Sequence, residues 1–196
     1  MNLKYINTRN MDKTILYRKA YRMLYKSTPL KLDCGLLCNN RCCLGNDNAG
    51  MQLYPGEEAI LGNTENYKIE NKSFHDMNIK FAVCNGTCNR RFRPLTCRVF
   101  PLVPYISKEN KLYIVKDPRA KYICPLVSLD KSENNTVTNV NVDNNTDISI
   151  NIDATFKRNV YKVFLSLVQD KEILKYIIYL SDTIRDYSAF TGMDLP

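Results

Sequence analysis

Histidine, tryptophan and glycine are scarce or absent in this chain of 196 residues, and each shortage excludes a class of function. The chain has one histidine, no tryptophan and seven glycines, and no two glycines are separated by a single residue. Dinucleotide-binding turns need such closely spaced glycines, and the Walker phosphate loop needs the pattern G-x-x-x-x-G-K-[ST], which does not occur. With His75 as the only histidine, Cys2His2 fingers, HExxH proteases and three-histidine zinc sites are excluded. Any metal chemistry must therefore depend on thiolates.

Long apolar runs are also missing. Charged residues interrupt residues 1–31 throughout, unlike the apolar stretch of a secretory signal. Nowhere does the sequence approach the ~18 consecutive apolar residues that a membrane-spanning helix needs. We therefore expect a cytoplasmic protein with no membrane span. In a reducing cytosol, eight cysteines favour metal ligands or redox groups over disulfides.

The formal net charge is +8, and the positive charge is concentrated in the first two-thirds of the chain. Residues 1–33 contain eight basic and two acidic residues, residues 34–124 contain thirteen and eight, and residues 125–196 contain seven and ten. Such a basic surface could meet nucleic acid, anionic lipid or an acidic protein. Arginine and lysine would equally offset the negative charge that four thiolates leave on one divalent ion, and we favour this explanation.

Composition and pattern together predict an α+β fold. Hydrophobic residues make up 44% of the chain, enough for a globular core. We expect a small metal-clamped cysteine-rich domain with short strands, packed by N-terminal and C-terminal helices. The predicted divisions are an N-terminal amphipathic helix in 1–30, a cysteine-cluster domain in 31–126, an Asn-rich flexible insertion in 127–153 and packed helices in 154–196.

Helical periodicity is clearest near the two ends of the chain. Residues 12–26 place apolar side chains at helical spacing, with Tyr17, Tyr21 and Tyr25 on an adjoining stripe. Tyrosines among basic residues could stack on single-stranded nucleic acid, but we favour the edge of a packing face. Beyond residue 154, apolar side chains recur at i, i+4 and i+7, which predicts two helices, or one helix bent near 169–170.

Shorter elements are predicted between these helices. Residues 67–70 and 79–83 are strand candidates, and a polar turn between 102–106 and 112–115 predicts a hairpin. Residues 55–62 begin with a proline, continue with acids and end with a glycine, as short helices do.

The cysteines are the strongest signal in the sequence. Four lie within ten residues, three more lie within fourteen, and the last stands alone before a proline. A C-x3-C spacing lets two thiolates converge on one centre, and two separate groups allow that centre to clamp the segment between them. The spacing leaves zinc, iron and a 4Fe-4S cluster open as the metal. The candidate ligands are Cys34, Cys38, Cys42, Cys43, Cys84, Cys88, Cys97 and Cys124.

Several arrangements of these thiols are open. Eight thiolates would suffice for two centres, yet we expect the adjacent Cys42 and Cys43 to point in different directions. A single centre with spare or redox thiols fits equally well. An isolated cysteine such as Cys124 could instead be a small buried hydrophobe.

Three stretches of the sequence carry a resemblance: residues 34–43, the acidic Pro-Gly-Glu at 55–57, and Arg-Pro at 93–94 leading into CRVFP at 97–101. Together they resemble the bacterial YkgJ-like cysteine-cluster family. The resemblance covers about residues 31–126 and implies a zinc- or iron-chelating domain. Its signature is C-x2-C-x2-C-C, whereas both spacings here are three. It implies a cluster of Cys34, Cys38, Cys42, Cys43 and Cys97, with Cys84, Cys88 and Cys124 as further candidates.

A related branch, the flagellin lysine methylases, is similar in its C-x3-C, C-C and Cys-Arg-x-aromatic-Pro elements. It implies an iron–sulfur cluster and S-adenosylmethionine acting on a protein substrate. Members of that branch are longer, and this chain lacks the C-x3-C-x2-C triplet of radical S-adenosylmethionine enzymes.

Other polar residues lie near the cysteines. Arg93 and Arg98 could hold an anionic substrate or cofactor through paired hydrogen bonds, or neutralise the thiolates, which we favour. His75 is predicted to be a surface residue rather than a ligand. Glu57 and Glu58 are predicted to be ordinary acids at a helix start that point apart. No catalytic nucleophile and base can be assigned.

Three functions follow from these features. The first is a cytoplasmic metal-binding protein whose thiolate centre contributes folding free energy. The second is an enzyme in which a redox-active centre works on a protein or a small anion. The third is a nucleic-acid or protein interaction module that uses the basic N-terminal helix; its affinity for nucleic acid would fall steeply with salt.

Overall fold

The computed structural model has a mixed α+β fold, which confirms the predicted class. His75, Cys88 and positions 129–150 of the predicted insertion lie outside the described residues. The structure describes residues 8–43, 50–62, 64–74, 77–86, 90–128 and 151–196.

Six α-helices form within these ranges. The helices are α1 (Lys13–Met23), α2 (Glu58–Leu61), α3 (Leu95–Val99), α4 (Pro125–Ser128), α5 (Ala154–Leu167) and α6 (Lys171–Thr191). The bounds of α1, α5 and α6 agree with the sequence periodicity, except that α1 ends at Met23, before the predicted limit of residue 26. The two C-terminal helices are separate and meet at a break over residues 168–170, as predicted.

Two small antiparallel sheets complete the described fold. The strands are β1 (Gly50–Gln52), β2 (Tyr67–Phe74), β3 (Met77–Cys84), β4 (Leu102–Ile106) and β5 (Leu112–Lys116). The first sheet has the order β1-β3-β2, and the second is the predicted hairpin of β4 and β5, in which Ile106 pairs with Leu112. Strands β2 and β3 extend beyond their predicted bounds, and β1 is not predicted by the sequence.

The main core lies where α5 and α6 pack against the β4–β5 hairpin and α1 packs against α5. Tyr54 is buried in this core. The centroid of its ring is 5.3 Å from the ring centroid of Phe164 and 5.6 Å from that of Tyr176. Of the predicted tyrosine stripe, Tyr17 on α1 is completely buried, whereas Tyr25, beyond the end of α1, is 56% exposed. The packing role predicted for this stripe is confirmed for its first member.

Both ends of the predicted insertion 127–153 belong to the folded body. Val127 is buried in α4, and Ile152 is buried against the main core. Asp153 caps α5 by accepting a hydrogen bond from the amide of Phe156 at 2.8 Å, and its own amide donates to the carbonyl of Pro29. The predicted division at 127–153 itself stays a prediction.

Among the helices that the structure describes, none combines the length and the apolar character needed to cross a membrane.

Asp170 joins the start of the described chain to α6. Its carboxylate is 1% exposed and caps α6 by accepting hydrogen bonds from the amides of Glu172 and Ile173. The same carboxylate accepts a hydrogen bond from the amide of Met11 at 3.1 Å. One side chain therefore satisfies the first amides of α6 and fixes the segment that enters α1.

We predict that Asp170→Ala lowers the free energy of unfolding by about 3 kcal/mol, because it removes a helix cap and leaves the amide of Met11 without its acceptor. The matched control is Asp12→Ala, which removes the exposed cap of α1 and should cost about 1 kcal/mol. Urea denaturation of both variants measures the difference. Equal losses would contradict the role given to Asp170.

Candidate metal centre

Cysteines from three separate parts of the chain line one small pocket. Cys34, Cys38 and Cys42 come from the segment after α1, Cys97 comes from α3, and Cys124 immediately precedes α4. The pocket has a volume of about 30 Å³, far below the roughly 300–1,000 Å³ of small-molecule sites, so it suits an ion better than a large substrate. Its other lining residues are Pro29, Leu37, Arg93, Arg98, Phe100, Pro101, Ile123, Pro125 and Leu126.

A tight reversal of the chain brings the first cysteine group together. Cys34–Leu37 is a 3-10 turn capped by Asp33, whose carboxylate accepts a hydrogen bond from the amide of Gly35. A Cβ atom on Gly35 would lie 2.0 Å from the Oδ1 atom of Asn40, so any larger residue here would have to displace the Asn40 side chain. Asn40 has a φ of +55°, which asparagine tolerates better than most residues. The chain then turns back, and Cys42 lines the same pocket as Cys34.

A buried carboxyl group positions the helix that carries Cys97. Glu57 is completely buried, and its Oε1 atom accepts hydrogen bonds from the Tyr21 hydroxyl at 2.5 Å and from the Leu95 amide at 2.6 Å. Its Oε2 atom accepts a hydrogen bond from the Tyr54 amide at 3.0 Å. Glu57 therefore connects α1, the turn before α2 and the first residue of α3.

The prediction that Glu57 is an ordinary helix-start acid is wrong. The residue precedes α2 and makes no side-chain capping bond there; it points into the protein instead. Burial raises its pKa, and the hydrogen bonds from Tyr21, Leu95 and Tyr54 oppose that rise. The one available signal is the tyrosine stripe, because a phenol on the packing side of α1 needs a hydrogen-bond partner.

Arg98 lies beside Cys97 and is buried. Its Nε atom donates to the carbonyl of Arg93 at 2.9 Å, and its Nη2 atom donates to the carbonyl of Arg91 at 2.7 Å. The guanidinium group also stacks over the ring of Tyr21, with Cζ 4.5 Å from the ring centroid. Arg98 thus fixes the 3-10 turn before α3, a structural role in addition to the predicted neutralising one. Arg93 lines the pocket, and its neutralising role stays a prediction.

The thiols lie within electrostatic reach of one another. A hydrogen bond with Cys43 lowers the pKa of Cys42, and Arg93 contributes in the same direction. Burial raises the pKa of Cys124 to about 11. Charge on Cys34 and Cys38 would raise the pKa of both Cys42 and Cys124, because like charges repel.

The other two described cysteines do not line the pocket. Cys84 is at the end of β3, opposite Tyr67, and does not line the pocket. Cys43 lies beside the pocket, with its sulfur 3.8 Å from that of Cys42. The two sulfur atoms therefore face each other, and the prediction that Cys42 and Cys43 point in different directions is wrong.

The donor chemistry of the pocket suits a thiolate-bound metal, but the side chains do not form a coordination shell. None of the seven cysteines in the described residues forms a disulfide. Within the same residues, no three cysteine, histidine, aspartate or glutamate side chains are close enough to hold one metal ion. Thiolates are preferred ligands of zinc and of iron–sulfur centres, and binding would require the sulfur atoms to turn toward a common point.

Searches for similar proteins give no match: no protein-family model fits the chain, and no curated protein or solved structure is significantly similar to it. The resemblance to the YkgJ-like family rests on the cysteine motif and its neighbouring residues, and it stays a prediction.

The burial of Glu57 predicts a pH dependence of stability. Because the pKa of Glu57 is raised in the folded protein, the folded state binds more protons than the unfolded state above the ordinary glutamate pKa. The contribution of Glu57 to the free energy of unfolding is therefore complete below its pKa in the unfolded state. This contribution is lost as the pH rises through the raised pKa of the folded state. Glu57→Gln should abolish this loss of stability with rising pH, whereas Glu70→Gln, at an exposed position on β2, should retain it.

Urea denaturation of the wild type and both variants from pH about 4 to about 8 measures this effect. As the pH rises, the free energy of unfolding of Glu57→Gln should increase relative to that of the wild type. A difference that does not change with pH would contradict the account of Glu57.

Proposed function

We propose that this chain binds a metal ion, zinc or iron, through the thiolates of Cys34, Cys38, Cys97 and Cys124. The observation that carries the proposal is that cysteines from three distant segments line one pocket. The bound ion would contribute folding free energy, because it would join these segments in the folded state only.

The composition of the pocket supports a metal over simple packing. Cysteines serving as small hydrophobes can occupy any core position, yet five of the seven described cysteines line this one pocket. The main core itself consists largely of aliphatic and aromatic side chains, with Cys34 and Cys124 only at its margin. Arg93 and Arg98 in the pocket lining suit a centre whose thiolates carry excess negative charge.

Of the five cysteines that line the pocket, we assign four as metal ligands on the basis of their exposure to solvent. Cys34, Cys38, Cys97 and Cys124 are half-buried, whereas Cys42 is exposed and hydrogen-bonded to Cys43. The high pKa of Cys124, about 11, means that metal binding must displace its proton, so binding should weaken as the pH falls.

A centre of four thiolates would be structural. Four protein ligands fill the tetrahedral shell of zinc and leave no open position for a substrate. We place the protein in the cytoplasm in this proposal, because free thiols persist in a reducing compartment. Iron with inorganic sulfide in the same thiolate site would instead supply redox chemistry.

Serine substitutions test the ligand assignment. Cys34→Ser, Cys38→Ser, Cys97→Ser and Cys124→Ser should each lower the metal content per chain by at least about half and the free energy of unfolding by about 2 kcal/mol or more. Elemental analysis and urea denaturation measure both quantities. Cys84→Ser is the matched control, since Cys84 lies outside the pocket lining, and it should keep the metal.

Treating the wild type with a metal chelator should cause a similar loss of stability, which provides a measurement that does not depend on folding of the variants. Wild-type metal content and stability in all four pocket variants would refute the proposal.

A further inference from the structure

The thiols of Cys42 and Cys43 are adjacent in sequence and close together in space. Their sulfur atoms are 3.8 Å apart. Cys42 is exposed and Cys43 is half-buried, so the pair is accessible from solvent through Cys42.

Local backbone structure holds the pair in place. Both cysteines belong to the 3-10 turn Arg41–Cys43. The amide of Cys43 donates to the carbonyl of Asn40 at 2.6 Å, and the amide of Arg41 donates to the carbonyl of Cys38. Asn39 and Asn40 precede the turn with positive φ angles, so the reversal that presents the two thiols is built into the backbone.

Geometry disfavours a disulfide between these neighbours. A disulfide requires the sulfur atoms to approach to about 2.05 Å and its Cα atoms to lie about 4.4–6.8 Å apart. Adjacent Cα atoms are only about 3.8 Å apart across a trans peptide bond, so a bond between these cysteines would be strained.

The pair supplies two thiols, whereas structural zinc takes four protein ligands. A ligand that matches the pair by itself uses two thiols and bridges them without an S–S bond.

We propose that Cys42 and Cys43 form a dithiol site for trivalent arsenicals. An arsenoxide, R–As=O, reacts with both thiols to form two As–S bonds. The As=O bond breaks, its oxygen leaves as water with the two thiol protons, and no electrons are transferred because arsenic stays trivalent. The proposal goes beyond metal binding and does not rest on it, since the assigned metal ligands are other cysteines.

Phenylarsine oxide is the probe that tests the site. The reduced full chain should gain one phenylarsine oxide less one water, seen by intact-protein mass spectrometry, and should keep it in the presence of excess monothiol competitor. Because the second thiol acts at an effective concentration in the millimolar range, Cys42→Ser and Cys43→Ser should each weaken retention by about 100-fold or more. Cys84→Ser, which removes a thiol outside the pair, should retain the adduct.

A second measurement on the wild type locates the adduct and does not depend on folding of the variants. After one equivalent of phenylarsine oxide, alkylation and peptide mapping should find Cys42 and Cys43 protected and the other cysteines modified. Protection of a different pair, or retention by Cys42→Ser equal to that of the wild type, would overturn the proposal. Both serine variants should keep the metal, so failure of this proposal and failure of the metal proposal can be told apart.

Discussion

The hydrogen bonds of the buried Glu57 carboxyl group are the constraint on which the candidate site depends. They connect α1 through Tyr21, the turn before α2 through Tyr54, and α3 through Leu95. A buried carboxyl group is costly without partners, so the protein gains from Glu57 only while all three segments stay in place. This requirement makes packing of the core and placement of α3 a single cooperative event.

Placement of α3 in turn determines the pocket. Cys97 and Arg98 are neighbours on this short helix, and Arg98 holds the turn before it through two backbone carbonyls while stacking on Tyr21. Tyr21 therefore contacts both the buried acid and the buried base. A metal in the pocket would be coupled to fold stability through the same residues, because any shift of α3 would move Cys97.

The sequence predicts those elements whose side chains repeat regularly. The spacing of apolar residues predicts α5 and α6, and the polar turn predicts the β4–β5 hairpin. The spacing of the cysteines predicts that thiols distant in sequence lie together. The inward direction of Glu57 could not be predicted, because it depends on contacts with α1 and α3 that are distant in sequence. The facing thiols of Cys42 and Cys43 depend on the backbone angles of the two asparagines before them, which the cysteine spacing does not reveal.

X-ray absorption spectroscopy at the zinc and iron edges of the anaerobically purified full chain tests the central claim most directly. The account predicts about one metal centre per chain, with a first shell of sulfur atoms only, at about 2.3 Å for zinc. Acid-labile sulfide and visible absorbance measured on the same sample would separate an iron–sulfur centre from a single ion. A folded protein with no bound zinc or iron, or a metal surrounded by nitrogen and oxygen atoms, would contradict the account.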